Sequence, residues 1–342
     1  MLLQGGILLK PKYLKSNSKL YLIAPSFGCT TSPYEERLVK SISILNNLGY
    51  RIGLGENCYK DEGIAASSTP EARAKEFMDA YTSNADAVIS VGGGEMMIEI
   101  LDHLDFNEIR SLQPKWFMGF SDNTVLTYTL TTICDIQTIY GVNATRFYTS
   151  PLMCDANDAL RMLHGQTLFE GYPKFELEEN KDERPFNPIN FDTNKIITPY
   201  MYKDPFKGIL LGGCLDVLIN LCGTKYDKTK EYIKRHEDEG IIFYFEACDL
   251  NPLSFRRALI QLKNAGWFDN VKGFLVGRSY HYNEELFGVT AESSVIDILG
   301  KLNVPILINV DLGHLKPSLP IKNGAFATIS YENANIKIEY EN

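Results

Sequence analysis

In the first half of the chain, short apolar runs alternate with stretches of helical periodicity, and most of the runs break off at a Gly, Ser or Pro turn. Few architectures accept such a pattern. Lys19-Leu20-Tyr21-Leu22-Ile23-Ala24 stops at Pro25-Ser26 and reads as a buried strand. A helix is expected to start at Thr31-Ser32-Pro33, with Ser32 as its cap and Pro33 in its first position. Leu38, Ile42, Leu45 and Leu48 then recur on one face, and Gly49 ends the run. The unit repeats. Tyr50-Arg51-Ile52 opens a second strand, and Thr69-Pro70 opens a helix through Ala72, Phe77 and Ala80. Ala85 to Val91 is a third strand, followed by Gly92-Gly93-Gly94 and a helix from about Glu95 to Leu101. Lys115 to Met118 is a fourth strand. Beyond Gly119-Phe120-Ser121-Asp122, a helix carries Leu126, Leu130 and Ile133. Ile136 to Tyr140 is a fifth strand. Strands and helices in this order predict an α/β domain with a doubly wound, mostly parallel sheet covered on both faces.

The pattern lapses in the middle. Gly171 to Lys207 is rich in Glu, Asn, Asp, Pro and Lys and reads as a linker and surface excursion. Order returns with the strand Gly208 to Gly213 and the aromatic strand Ile241 to Phe245. A helix over Phe255 to Ala265, a strand from Val271 to Val276 and a helix over Val295 to Leu302 follow. The chain closes with the strand Pro305 to Val310 and β alternation from Ala325 to Tyr340. The expectation is a second, β-rich α+β domain, with the chain dividing into 1–167 and 168–342. At 342 residues, two domains also fit the usual domain size.

The charge balance narrows the class. Lys and Arg number 34 against 43 Asp and Glu, a net charge of −9, so nucleic acid is a poor expectation. No apolar stretch approaches the length of a membrane span, and Met1 to Leu9 lacks the basic start of a signal peptide. The seven cysteines are scattered, with no C-x-x-C pair, which reads as reduced thiols packed in a cytoplasmic protein without a metal.

Four places carry candidate chemistry. In Gly119-Phe120-Ser121-Asp122 a strand runs into a Ser and a helix begins at once, as in a nucleophile elbow. The alternative is that Ser121 or Asp122 only caps that helix. Gly92-Gly93-Gly94 could bring backbone N–H donors close to a ligand, or simply make a tight turn. Glu246 ends an apolar strand, either at a rim where it could orient a His or as a solvated strand end. His314 sits in the Gly- and Pro-bounded loop Asp311 to Pro317 and is either catalytic or a surface histidine. Of the other histidines, His103, His164 and His236 read as structural or solvated, and His281 could line a pocket.

Taken together, these segments resemble the LD-carboxypeptidases and their relatives, the microcin C immunity peptidases. The resemblance rests on Ala24-Pro25-Ser26, Gly92-Gly93, Gly119-Phe120-Ser121-Asp122, Gly208 through Gly213, Leu221-Cys222-Gly223-Thr224, Phe245-Glu246, Gly277-Arg278 and Gly313-His314. It implies a serine-protease-type hydrolase with a Ser–Glu–His triad. Ser121 would be the nucleophile, His314 the general base and acid, and Glu246 the group that orients His314. The N–H groups of Gly93 and Asp122 would hold the oxyanion. Arg278 and Gly213 would bind substrate, and the site would lie in a cleft between the domains. No metal or cofactor is implied. The implied substrate is small and peptide-like, either the L-D amide of a murein peptide or a microcin C-type aminoacyl-nucleotide. Peptidoglycan recycling or microcin resistance would be the process and a homodimer the assembly, with no nucleic acid or membrane partner.

Three departures keep the substrate open. Ser279-Tyr280 stand where the immunity branch often has Pro-Glu after Gly-Arg. Trp116 and Trp267 both lie outside the excursion that carries that branch's base-stacking Trp, although Tyr200, Tyr202 or Phe206 could substitute. Cys214 replaces an Asn often found after the paired glycines. The alternative function is an inactive family member that serves as a small-ligand binding module.

Overall fold

The computed structural model describes residues 8–177, 185–186 and 189–341. Residues 1–7, read above for a leader, and parts of the mid-chain excursion lie outside the described residues. The chain divides into two compact units, one built mainly from residues 9–166 and the other mainly from 167–179 and 190–342.

The first unit contains, in order, β1 (Lys19–Ile23), α1 (Tyr34–Asn47), β2 (Arg51–Leu54), α2 (Pro70–Thr82), β3 (Ala87–Ser90), α3 (Phe106–Ser111), β4 (Trp116–Gly119), α4 (Thr124–Cys134), β5 (Thr138–Tyr140) and α5 (Cys154–Leu163). Its five strands run β5-β4-β3-β1-β2, all parallel. The strand order reverses between β1 and β3. In open parallel sheets such a reversal leaves a crevice at the strands' carboxyl ends, where ligands bind. The loops after β1, β3 and β4 therefore frame this unit's functional edge. β3 and β4 are buried throughout because helices cover both faces.

Local chemistry accounts for these elements, with two corrections. Thr69 caps α2 by accepting the Ala72 N–H, and Pro70 occupies the first turn, where its missing donor costs nothing. Ser32 does not cap α1. Pro33 takes the cap position, with no side-chain cap hydrogen bond. The helix expected at Glu95 to Leu101 is instead a 3-10 turn over Met97–His103. α4 is buried although it carries several threonines, because their hydroxyls are satisfied locally. Thr129 and Thr132 bond the carbonyls four residues back, and Thr131 bonds the Ile136 carbonyl. Pro185 and Phe186 belong to this unit. Arg37 donates to the Pro185 carbonyl, and the Phe186 ring lies beside Tyr148.

The second unit contains β6 (Leu168–Glu170), β7 (Lys174–Phe175), β8 (Thr193–Asn194), β9 (Thr198–Tyr200), β10 (Phe206–Cys214), α6 (Leu215–Leu221), α7 (Thr229–Arg235), β11 (Ile241–Glu246), α8 (Pro252–Asn264), β12 (Val271–Gly277), α9 (Ala291–Leu299), β13 (Ile306–Val310), β14 (Ile321–Asn323), β15 (Phe326–Glu332) and β16 (Asn335–Tyr340). An eight-stranded mixed sheet runs β6-β16-β15-β10-β11-β12-β13-β9. Its heart, β10 to β13, is parallel, and antiparallel strands flank it on both sides. The excursion thus contributes more than a linker, since β9 forms one edge of the sheet and β7 pairs with β8. β11 is buried at all six positions, Glu246 included. Among the described residues, no helix is long and apolar enough to cross a membrane.

Candidate active site

In the first unit, Ser121 directly follows β4 and begins a single 3-10 turn that leads into α4. Its φ is +64°, a left-handed conformation that costs a residue with a Cβ about 1–2 kcal/mol. Such strain is tolerated where the surroundings enforce it. The surroundings here are specific. The Ser121 N–H donates to the Tyr140 hydroxyl (3.2 Å), and the Phe120 N–H donates to Asn143 Oδ1 (2.9 Å). Asn123 Nδ2 ties the same turn to the Gly92 carbonyl (2.9 Å). The result is a sharp strand-to-helix corner with a hydroxyl at its tip.

Gly93 lies against that hydroxyl. A Cβ at position 93 would stand 3.1 Å from Ser121 Cβ and 3.4 Å from its Oγ. Only a residue without a side chain lets the backbone of this turn approach so closely. Gly93→Ala is accordingly expected to lower kcat at least about tenfold while the fold persists, since displacing reacting groups by fractions of an ångström costs rate steeply. Steady-state kinetics alongside circular dichroism checks it.

Asp122 plays a part the sequence did not reveal. Its carboxylate is buried, and Oδ2 accepts both the Ser26 hydroxyl (2.5 Å) and the Met97 N–H (2.9 Å). One oxygen therefore ties the loops after β1 and β3 to the loop after β4. Burial pushes the Asp122 carboxyl up, opposed by these two hydrogen bonds and by the charge of Arg73. Arg73, itself buried, donates to the carbonyls of Ser68, Pro25 and Met96 and pairs with Glu99 (2.6 Å). Three loop ends are cross-braced by charge-assisted hydrogen bonds beneath Ser121.

In the second unit, His314 and Glu246 meet. His314 Nδ1–H donates to Glu246 Oε2 at 2.7 Å. The imidazole is 13% exposed and the carboxylate fully buried. Two glycines make room for the pair. A Cβ at Gly277 would fall 2.6 Å from Glu246 Cβ, and one at Gly313 would fall 2.9 Å from Glu246 Oε2. Burial of the His314 ring disfavours its charged form and is the largest single influence. The charge and hydrogen bond of Glu246, helped by Asp216, outweigh it and hold the imidazole above its usual 6.5. With Nδ1 engaged by a carboxylate, Nε2 is the nitrogen available for proton transfer. The Tyr280 ring packs beside His314, with centroids 5.8 Å apart.

The remaining expected residues, Gly213 and Arg278, both lie in the second unit. Gly213 is buried in β10, in register with Phe245, and Cys214 stands opposite Glu246. Arg278, expected to bind substrate, is 1% exposed. Its Nη2 pairs with the fully buried Asp311 (2.9 Å) and donates to the Asn309 carbonyl (3.2 Å), while the guanidinium stacks 3.8 Å above the Phe175 ring. Those contacts commit the group to the inside of its own unit. It joins β12 to the loop after β13. Of the other histidines, His236 is buried against Tyr232, His164 bonds Tyr50, and His281 pairs with Glu284 (2.6 Å). Among the described residues, no cluster of His, Cys, Asp or Glu could hold a metal ion.

The first unit thus carries a strained serine corner and the second a buried carboxylate–imidazole pair. Residues 20–141 match the LD-carboxypeptidase N-terminal domain, and residues 207–329 match the LD-carboxypeptidase C-terminal domain. The chain belongs to the LD-carboxypeptidase family and is by that membership a peptidase. A Bacillus subtilis relative named "Probable murein peptide carboxypeptidase" is 24% identical, with 96% of this chain and 94% of that protein covered. Among solved structures, the fold is similar to an MccF-like protein from Bacillus anthracis (TM-score 0.81, 21% identity, 97% and 100% covered). It is also similar to the microcin C7 self immunity protein MccF (TM-score 0.81, 20% identity, 98% and 99% covered).

Proposed function

We propose that this protein is a serine carboxypeptidase or amidase in which Ser121 attacks the acyl carbon of a small peptide-like substrate. His314 removes the serine proton and then returns it to the leaving amine, while Glu246 fixes the imidazole and stabilises its charged form. The N–H groups of Gly93 and Asp122 receive the oxyanion. In this reading residues 1–167 supply the nucleophile and 168–342 supply the base and its orienter. The observation that carries it is the 2.7 Å contact between His314 Nδ1 and the buried Glu246 carboxylate. A buried carboxylate holding a largely covered imidazole by Nδ1 is the arrangement that a serine hydroxyl needs as its base.

The substrate class follows from the relatives. The Bacillus subtilis relative is named for murein peptides, which favours an amide between an L- and a D-residue. A second reading, an aminoacyl-nucleotide amide, is supported by the similar fold of MccF, one of whose structures is in complex with glutamyl sulfamoyl guanosine. Peptidoglycan recycling or microcin resistance, a cytoplasmic setting and a homodimer stand as parts of the proposal. Turnover of a muropeptide tetrapeptide and of an aminoacyl-sulfamoyl adenosine, measured side by side, separates the two readings. Release of the terminal D-residue supports the first, and release of the free amino acid supports the second. Hydrolysis of neither overturns both and leaves a binding module.

The pH dependence has a definite sign. Because the imidazole is held above 6.5, its basic form accumulates only above that value, and kcat/KM should rise through a midpoint higher than 6.5. Glu246→Gln removes the carboxylate that favours the charged ring. The midpoint should then move to lower pH while the plateau falls by at least about a hundredfold. A midpoint that stays put or moves upward would exclude His314 as the base.

A further inference from the structure

A second carboxylate lies at the end of β11 that carries Glu246. Asp216 opens α6, two residues beyond Cys214, which stands opposite Glu246 in the β10–β11 register. Its Oδ2 accepts the Cys248 N–H at 3.0 Å and lies 3.5 Å from Cys214 Sγ. Its Oδ1 accepts the Asp249 N–H at 2.9 Å. Both oxygens are thus engaged by the turn that leaves β11 immediately after Glu246. We propose that Asp216 is a positioning residue for the Glu246–His314 pair, holding the β11 exit turn in place and adding a second negative charge beside the strand end that carries Glu246. The proposal deepens the reading above and rests on it for its catalytic meaning.

The groups around the ring set the expectation. Glu246 reaches it from β11 and occupies Nδ1. The Tyr280 ring flanks it from the segment after β12. Lys316, on the histidine's own loop, opposes the two carboxylates. Asp216 is only half-buried, and its two oxygens accept two backbone N–H groups. When His314 takes up the serine proton, positive charge forms on the ring, and a nearby carboxylate favours that state over the resting one.

The test is an NMR titration of the five histidine rings in the full chain, with the His314 signal assigned by its loss in His314→Gln. Asp216→Asn should move the His314 midpoint down by about 0.5 pH unit. Asp216→Glu, which retains the charge, should restore most of that shift. The acid limb of kcat/KM should move with the ring. Should the Asn variant fail to fold, Asp216→Ser, whose hydroxyl can still accept one N–H, is titrated in its place. A lowered melting temperature with an unmoved His314 midpoint would mean that Asp216 only holds the turn, and the charge role would fall. An equal shift in the Glu variant would overturn it too. A ring that shifts as expected in a protein that turns over neither substrate would instead support the coupling and count against the hydrolase reading.

Discussion

Ser121→Ala should abolish turnover, by about a thousandfold or more, without unfolding the protein. The alanine keeps the backbone demand of the corner and removes only the hydroxyl. If Ser121 and His314 act as one unit, losing either forfeits nearly the whole covalent route. The double variant Ser121→Ala/His314→Gln should therefore be no slower than the worse single one, whereas independent contributions would multiply. A companion variant exposes the strain. Ser121→Gly should match the alanine variant in lost activity yet be more stable by about 1 kcal/mol, because glycine adopts φ of +64° without a Cβ clash. Calorimetry on the two variants measures it. Equal stability would mean that the corner stores no strain, and activity surviving in Ser121→Ala would remove the nucleophile from the scheme.

The sequence was most legible where one period dominated. β1, β3, β4 and β11 are short apolar runs bounded by turn residues, and each lies within a residue or two of its expectation. Thr69-Pro70 marked the start of α2 because cap and first-turn residue agreed. Signals failed where local chemistry was ambiguous. Ser32 looked like a cap, but Pro33 occupies that position. β9 contains Pro199 and was hidden in a polar excursion, since an edge strand needs neither alternation nor a full set of donors. The seven-residue helices α6 and α7 are too short to display a face.

The candidate site divides the same way. Ser121, Glu246 and His314 were candidates by place, a serine after a strand, a carboxylate ending an apolar strand and a histidine in a bounded loop, and it took the family resemblance to join them. The groups that brace them did not show in this way. Asp122, Arg73 and Asp216 act through side-chain bonds to backbone atoms far along the chain: 25 residues from Asp122 to Met97 and 32 from Asp216 to Cys248. Such partners have no sequence signature, because a backbone N–H is offered by almost every residue. Arg278 shows the converse. The family resemblance implied ligand contact for it, and no sequence signal pointed to its partner, Asp311, which lies 33 residues away and is buried with it.

That pair carries the largest expected effect on stability. Asp311→Ala should destabilise the second unit by about 3–5 kcal/mol, because it strands the Arg278 guanidinium in the interior. The loss extends beyond the ion pair, since Asp311 Oδ2 also accepts the Tyr172 N–H (2.8 Å) and so ties the segment beside β7 to the loop after β13. Replacing both partners with leucine should recover much of the loss, as apolar groups in that space leave no charge unpaired. His314 lies three residues beyond Asp311, and the Arg278 N–H bonds the Leu312 carbonyl between them (3.1 Å). Slackening this corner should therefore lower kcat as well as the unfolding temperature. Arg278→Lys discriminates the structural role from the substrate-binding one. A lysine cannot reproduce the two bonds and the ring stack of the guanidinium, so the unfolding transition should fall. A raised KM with unchanged unfolding would instead return Arg278 to the substrate.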